Sequence, residues 1–120
     1  MIIKSLDLAD FRNYRSLKIE FSSGTNILYG DNAQGKTNIL EAIYLSSTTK
    51  SHKGSKDRDI INFESEEAHI RTCIEKKGID TRIDMHLRKS KTKGIAIDGQ
   101  KIKKASELLA PSNIVYLSKK

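Results

Sequence analysis

Gly30, Gly35, Lys36 and Thr37 stand at the spacing G-x-x-x-x-G-K-S/T, a set of residue types suited together to holding phosphate oxygens. Gly30 and Gly35 let the backbone curve closely enough for successive N–H groups to point at one anion. Lys36 supplies a point charge for the outer phosphates, and the Thr37 hydroxyl supplies an oxygen ligand for Mg²⁺. A helix starting near Gly35 adds its unpaired N–H groups and the positive end of its dipole. Asp31, Asn32, Ala33 and Gln34 fill the loop between the glycines, and Asn38 follows it. Gly30–Asn38 is therefore a candidate nucleotide-phosphate site.

The flanking residues fit that reading. Ile27, Leu28 and Tyr29 form a short apolar run, as a buried strand entering the loop requires. Ile39, Leu40, Ile43 and Tyr44 recur at helical spacing, with Asn38 and Glu41 outside that set. Two strands are predicted upstream, Ile2–Leu8 and an alternating segment through Leu17, Ile19 and Phe21, separated by the polar, aromatic turn Asp10–Tyr14. They read as an antiparallel pair placed before the strand that feeds the loop. Downstream, residues 46–56 are polar, basic and aperiodic, and read as a loop. Asp59–Phe63 reads as one short turn or strand. Residues 68–74 and 79–87 are predicted as antiparallel strands around a Lys-Lys-Gly turn at 76–78. Asp98-Gly99 predicts a second hairpin after Ile95–Ile97. Ser106–Ala110 reads as a short helix stopped at Pro111, and Ile114–Leu117 as a last buried strand.

The 120 residues suffice for one small core and carry 37% hydrophobic and 31% charged side chains, a balance that excludes a disordered polyampholyte. No run of apolar residues is long enough to cross a membrane as a helix, and charges interrupt the first ten residues as they would not in a signal peptide. A cytoplasmic location is expected. Cys73 is the single cysteine, which leaves no disulfide framework or thiolate zinc site. His52, His69 and His86 are well separated in sequence and read as ordinary surface or sheet residues. The net charge of +7 is unevenly placed: residues 1–49 hold five basic and five acidic side chains, and residues 50–120 hold seventeen and ten. That excess is compatible with a polyanionic partner.

Phe11-Arg-Asn-Tyr14, the loop and helix from Gly30 to Tyr44, and Ser51-His-Lys53 resemble the N-terminus of the RecF family, bacterial recombination mediators with a fold like the ATPase heads of SMC and ABC proteins. The likeness extends through Asp59–Phe63 and Glu107–Leu109 and weakens at Leu117–Lys120. It implies an ATP site at Gly30–Thr37 with the Arg12-Asn13 turn beside the nucleotide. It also implies an ATP-dependent homodimer, preference for DNA with single-strand gaps, and RecO and RecR as partners. From the residues alone, Arg12 reads equally as a nucleotide contact or as a solvated turn with Phe11 and Tyr14 packed below.

Hydrolysis in this class needs a further acidic residue after an apolar strand. Ile95-Ala-Ile-Asp98 has that outline, but Asp98-Gly99 is better explained as a hairpin turn, and no Ser-Gly-Gln type signature occurs. The chain therefore reads as an N-terminal part of a larger ATPase head, and its own catalytic residues as none. Two basic clusters are weighed as DNA contacts: Lys50, Lys53, Lys56 and Arg58 after the helix, and Arg88, Lys89, Lys91 and Lys93 between two strands. A solvated hairpin tip is the competing account of the second cluster. Neither has interleaved aromatics, so any contact would be to backbone. The expected fold is α/β, the N-terminal lobe of an ABC/SMC-type phosphate-loop ATPase head, with a mixed sheet and an added antiparallel β layer. The expected function is ATP binding within a DNA repair mediator. Alternatives are a DNA-backbone-binding module with a structural phosphate loop, and a phosphate-loop kinase or GTPase, the latter disfavoured because no Asn/Thr-Lys-x-Asp motif is present.

Overall fold

The computed structural model describes residues 2–30, 34–48, 57–102 and 114–118. In chain order the elements are β1 (Ile2–Phe11), β2 (Tyr14–Glu20), β3 (Asn26–Gly30), α1 (Gln34–Thr48), α2 (Asp57–Ile60), β4 (Glu67–Lys76), β5 (Ile79–Arg88), β6 (Lys91–Ile97), β7 (Gln100–Ile102) and β8 (Ile114–Ser118). Six strands form an antiparallel sheet in the order β2-β1-β4-β5-β6-β7, and β3 pairs in parallel with β8. The strand entering the phosphate loop thus belongs to a parallel pair, while the antiparallel layer is built from its sequence neighbours on both sides.

Period-two patterning dictates which face of that layer is buried. Ala68, Ile70, Thr72 and Ile74 of β4 and Ile83, Met85 and Leu87 of β5 point to one side and are buried. β1 carries the same face through two irregularities. A register shift between Ile3 and Ser5 lets Ile3 and Leu6, three apart, both face inward. Asp10 adopts φ 53°, and Leu8 and Phe11 likewise both reach the core. Ala42, Ile43 and Leu45 of α1, with Ile60 and Ile61, complete that core. A buried polar bridge also joins helix to sheet: the Thr72 hydroxyl donates to Ser46 Oγ at 2.9 Å, and Ser46 donates to the Ala42 carbonyl at 2.9 Å.

The turns follow their sequence chemistry. Lys77-Gly78 and Asp98-Gly99 have φ values of 53°, 78°, 51° and 85°, all positive as two-residue hairpin turns of the mirror-image type require. Asp59–Phe63, expected as a turn or strand, is divided between the single turn of α2 and a bridge from Ile61 to Phe11. The predicted turn Asp10–Tyr14 is tighter than expected, because β1 continues to Phe11 and β2 begins at Tyr14. Residues 46–48, expected to begin a loop, instead end α1, while residues 49–56 and the helix expected at Ser106–Ala110 lie outside the described residues.

Candidate phosphate-binding site

Gly30 ends β3 in register with Ser118, and α1 begins at Gln34. Strand, loop and helix therefore follow in the order the spacing required. The first turn of α1 holds no acidic residue that would compete with an anion for its unpaired N–H groups. Gln34, Gly35, Lys36, Thr37 and Asn38 all lie within the helix. Asp31, Asn32 and Ala33 lie outside the described residues, as do the side chains of Gln34, Lys36 and Thr37.

The structure brings Arg12 and Asn13 onto this helix. The Asn38 side-chain N–H donates to Asn13 Oδ1 at 2.8 Å. One turn further on, Glu41 receives Arg12 in a two-pronged pair, Nε to Oε1 and Nη2 to Oε2, each 2.9 Å. Arg12 Nη1 also donates to the Asp59 carbonyl at 3.0 Å. The Glu41 side chain is fully buried and that of Arg12 is 22% exposed. Arg12 is thus not a solvated turn residue, although Phe11 is buried and Tyr14 packs against the core as that reading supposed. Burial raises the Tyr14 phenol above its ordinary range.

The backbone at Arg12 is held as firmly as its side chain. Arg12 adopts φ 51°, a conformation that L-residues other than Asn, Asp and Gly seldom take. Its N–H donates to the Ile60 carbonyl at 2.6 Å, and its carbonyl accepts from Asn62 Nδ2 at 2.8 Å. Asn62 is buried, its own N–H donates to the Asp10 carbonyl at 2.7 Å, and its Oδ1 accepts from the Glu64 N–H at 3.0 Å. One buried amide therefore locks the β1–β2 turn to the segment after α2.

Glu41 and Asn62 were not among the sequence candidates. The helical spacing Ile39, Leu40, Ile43, Tyr44 points to an apolar stripe that excludes Asn38 and Glu41, whereas both are buried and Tyr44 is 42% exposed. The stripe facing inward runs Asn38, Glu41, Ala42, Leu45, polar where the helix meets the β1–β2 turn and apolar beyond it. A carboxylate three residues after a loop-following Asn, with an arginine on an aromatic turn upstream, was the available signal.

Of the eight DNA candidates, Arg88, Lys89 and Lys93 have described side chains. Lys50, Lys53 and Lys56 lie outside the described residues, as do the side chains of Arg58 and Lys91. Arg88, half-buried, lines a cleft of about 490 Å³ with Asp10, Glu66 and Glu67. The Lys89 N–H donates to the Glu66 carbonyl at 3.2 Å, one step beyond the Glu67–Arg88 pair of β4 and β5. Lys93 is half-buried. Asp98 occupies its hairpin turn, its carboxylate accepting from the Arg82 N–H at 2.8 Å.

The histidines separated in sequence meet in space. His69 and His86 are cross-strand partners on the outer face, with ring centroids 4.2 Å apart and planes 19° from parallel. Burial, then the neighbouring His86, holds His69 below its ordinary pKa, against the opposing pull of Glu67, Asp10 and Asp84. Among the described residues no group of three or more His, Cys, Asp or Glu is placed to hold a metal ion, and no helix is long and apolar enough to cross a membrane.

Comparison with known proteins bears out the resemblance. Residues 5–120 match the AAA domain family. The chain is 64% identical over 118 residues to the DNA replication and repair protein RecF of Lachnoclostridium phytofermentans, covering 98% of this chain and 33% of that protein. It is 44% identical over 118 residues to RecF of Clostridium botulinum, with the same coverage. It thus spans about a third of the length of these relatives. Among solved structures, the recombination mediator protein RecF-ATP in the RecFOR pathway superposes with a TM-score of 0.79 at 35% identity, over 86% of this chain and 28% of that one. The SMC head domain from Thermotoga maritima, at 23% identity and a TM-score of 0.68, covers 86% of this chain and 39% of that chain and shares the fold.

Proposed function

The chain belongs to the AAA domain family, and from that premise we propose that it binds ATP at Gly30–Asn38 as part of a RecF-like DNA repair protein. The observation that carries this reading is the unbroken succession of β3, the G-x-x-x-x-G-K-T loop and α1, whose first turn carries no acid. That donor set suits a triphosphate: backbone N–H groups at a helix start, a lysine, and a threonine hydroxyl that Mg²⁺ accepts as one of its oxygen ligands. Mg²⁺, when bound, would neutralise charge on the outer phosphates. Its likeness to a RecF structure with ATP supports adenine nucleotide over guanine nucleotide.

A role at gapped or single-stranded DNA, with RecO and RecR as partners and an ATP-dependent homodimer, is proposed from the same resemblance, supported by the repair and RecFOR naming of the relatives. We place the basic residues on DNA backbone only, and among Arg88, Lys89, Lys91 and Lys93 the lysines carry that role, since half-buried Arg88 lines a cleft shared with three acids. A cytoplasmic location accompanies this reading. Among the described residues Asp98 is held in its hairpin turn, and we read the chain as a nucleotide-binding segment of that protein.

Parallel calorimetric titrations with ATP, GTP and a gapped DNA separate the readings. ATP binding in preference to GTP supports the proposal. GTP preference would favour a GTPase, and DNA binding with no nucleotide binding would favour a DNA module with a structural loop.

A further inference from the structure

We propose that Arg12 and Glu41 form a positioning pair for the phosphate site: Arg12 serves the nucleotide by fixing the orientation of α1 through Glu41. The inference rests on the nucleotide reading above. A carboxylate is costly to bury and is retained only where a partner meets both oxygens. Glu41 is fully buried on the first turns of the phosphate-loop helix, and each of its oxygens receives one N–H of the Arg12 fork. The guanidinium meets the helix flank at Glu41, and its Nη1 also donates to the Asp59 carbonyl.

The pair does not act alone. Asn13 holds Asn38, one turn earlier on the same helix face, directly after Thr37. Neighbouring residues of one turn thus grip two successive turns of α1. The turn in its own place is over-determined, with Arg12 in a left-handed conformation whose N–H and carbonyl are bonded to Ile60 and Asn62. An arginine needed only as a cation would require none of this. A two-pronged, planar partner with a fixed backbone is what setting a helix direction requires. Since the phosphate-facing N–H groups lie at the end of that helix, a small rotation of α1 displaces all of them together.

The test is an ATP titration of the 120-residue chain, its Arg12→Met and Glu41→Gln variants, and the double variant Arg12→Met/Glu41→Leu, with Lys36→Ala as site control. Circular dichroism monitors folding, and Arg12→Lys replaces Arg12→Met should that variant fail to fold. A positioning pair predicts that Glu41→Gln weakens ATP binding about as much as Arg12→Met, roughly tenfold, the order expected for one charge-assisted bond. The double variant should lose no more than either single variant, because the two side chains act as one unit. Wild-type affinity in Glu41→Gln, with a loss in every variant lacking Arg12, would overturn the proposal and make Arg12 a direct phosphate contact. Amide exchange without nucleotide gives an independent reading. Either single variant should speed exchange in α1 from Asn38 to Ala42 and leave β4 and β5 unchanged. Unchanged exchange in α1 would overturn the pair. Failure of wild type and Lys36→Ala alike to bind ATP would refute the nucleotide site, and the exchange result would still decide whether the pair orients the helix.

Discussion

Asn62→Ala should destabilise the chain by about 2–3 kcal/mol. The side chain makes two bonds, donating to the Arg12 carbonyl at 2.8 Å and accepting from the Glu64 N–H at 3.0 Å. Glu64 is exposed, and its freed N–H finds water at little cost. The Arg12 carbonyl is partly buried, and an orphaned buried acceptor costs about 1–3 kcal/mol. The left-handed conformation of Arg12 adds to this, since it costs roughly 1–2 kcal/mol and loses one of the bonds that offset it. At about 0.05–0.15 kcal/mol per residue the whole chain has on the order of 6–18 kcal/mol, so the loss is a large share. With a urea slope of about 1–3 kcal/mol per molar, the midpoint should fall by about 0.7–3 M. Asn62→Asp keeps the acceptor for Glu64 but sets a carboxylate oxygen against the Arg12 carbonyl, and should be at least as damaging at neutral pH. Urea unfolding followed by circular dichroism measures all three chains. A change below about 0.5 kcal/mol in both variants would refute the view that Asn62 locks the turn.

Acidification should destabilise the outer face through His69. Its pKa is held below 6.5 by burial and by His86, so the unfolded chain takes up the proton first, and stability falls as pH drops through about 6.5 toward the folded value. His69→Gln should shrink that fall in urea midpoints measured between pH 7.5 and 5, and an unchanged slope would show that the stacked pair does not contribute. In DNA titrations against salt, Lys89, Lys91 and Lys93 changed together to Gln should flatten the log–log slope by up to about 0.9 per lost phosphate contact, while Arg88→Gln should not. A steady-state phosphate-release assay should find the chain at the background of its Lys36→Ala variant. Robust turnover abolished by that substitution would show that a catalytic acid lies within these residues.

Local chemistry was readable where a rule fixes geometry at short range. Lys77-Gly78 forces a two-residue hairpin, and that alone determines the register: His69 and His86 each lie eight residues from the turn and must be opposite. Taken singly the two histidines look ordinary, yet the turn makes them a stacked pair. The phosphate-loop succession was legible for the same reason, since each part is contiguous in sequence. The inner face of α1 was not. Periodicity assumes that the buried stripe is apolar, but the helix meets a polar turn at Asn38 and Glu41. Burial of Glu41 depends on an arginine 29 positions earlier, and the hold on that arginine depends on Asn62, 50 positions further along the chain. Such residues satisfy one another only after the chain has folded. Patterning within one element carries no trace of them.

Calorimetric titration of MgATP into the chain and into Lys36→Ala, with circular dichroism to show that both are folded, tests the phosphate site most directly. Lys36 stands in the first turn of α1, where its charge-assisted contact should contribute about 1.5–3 kcal/mol. Saturable binding is expected of the unmodified chain, with a loss of affinity of about tenfold or more in the variant. Equal affinity in two folded proteins would contradict it, because the one cation of the motif would then take no part in holding phosphate.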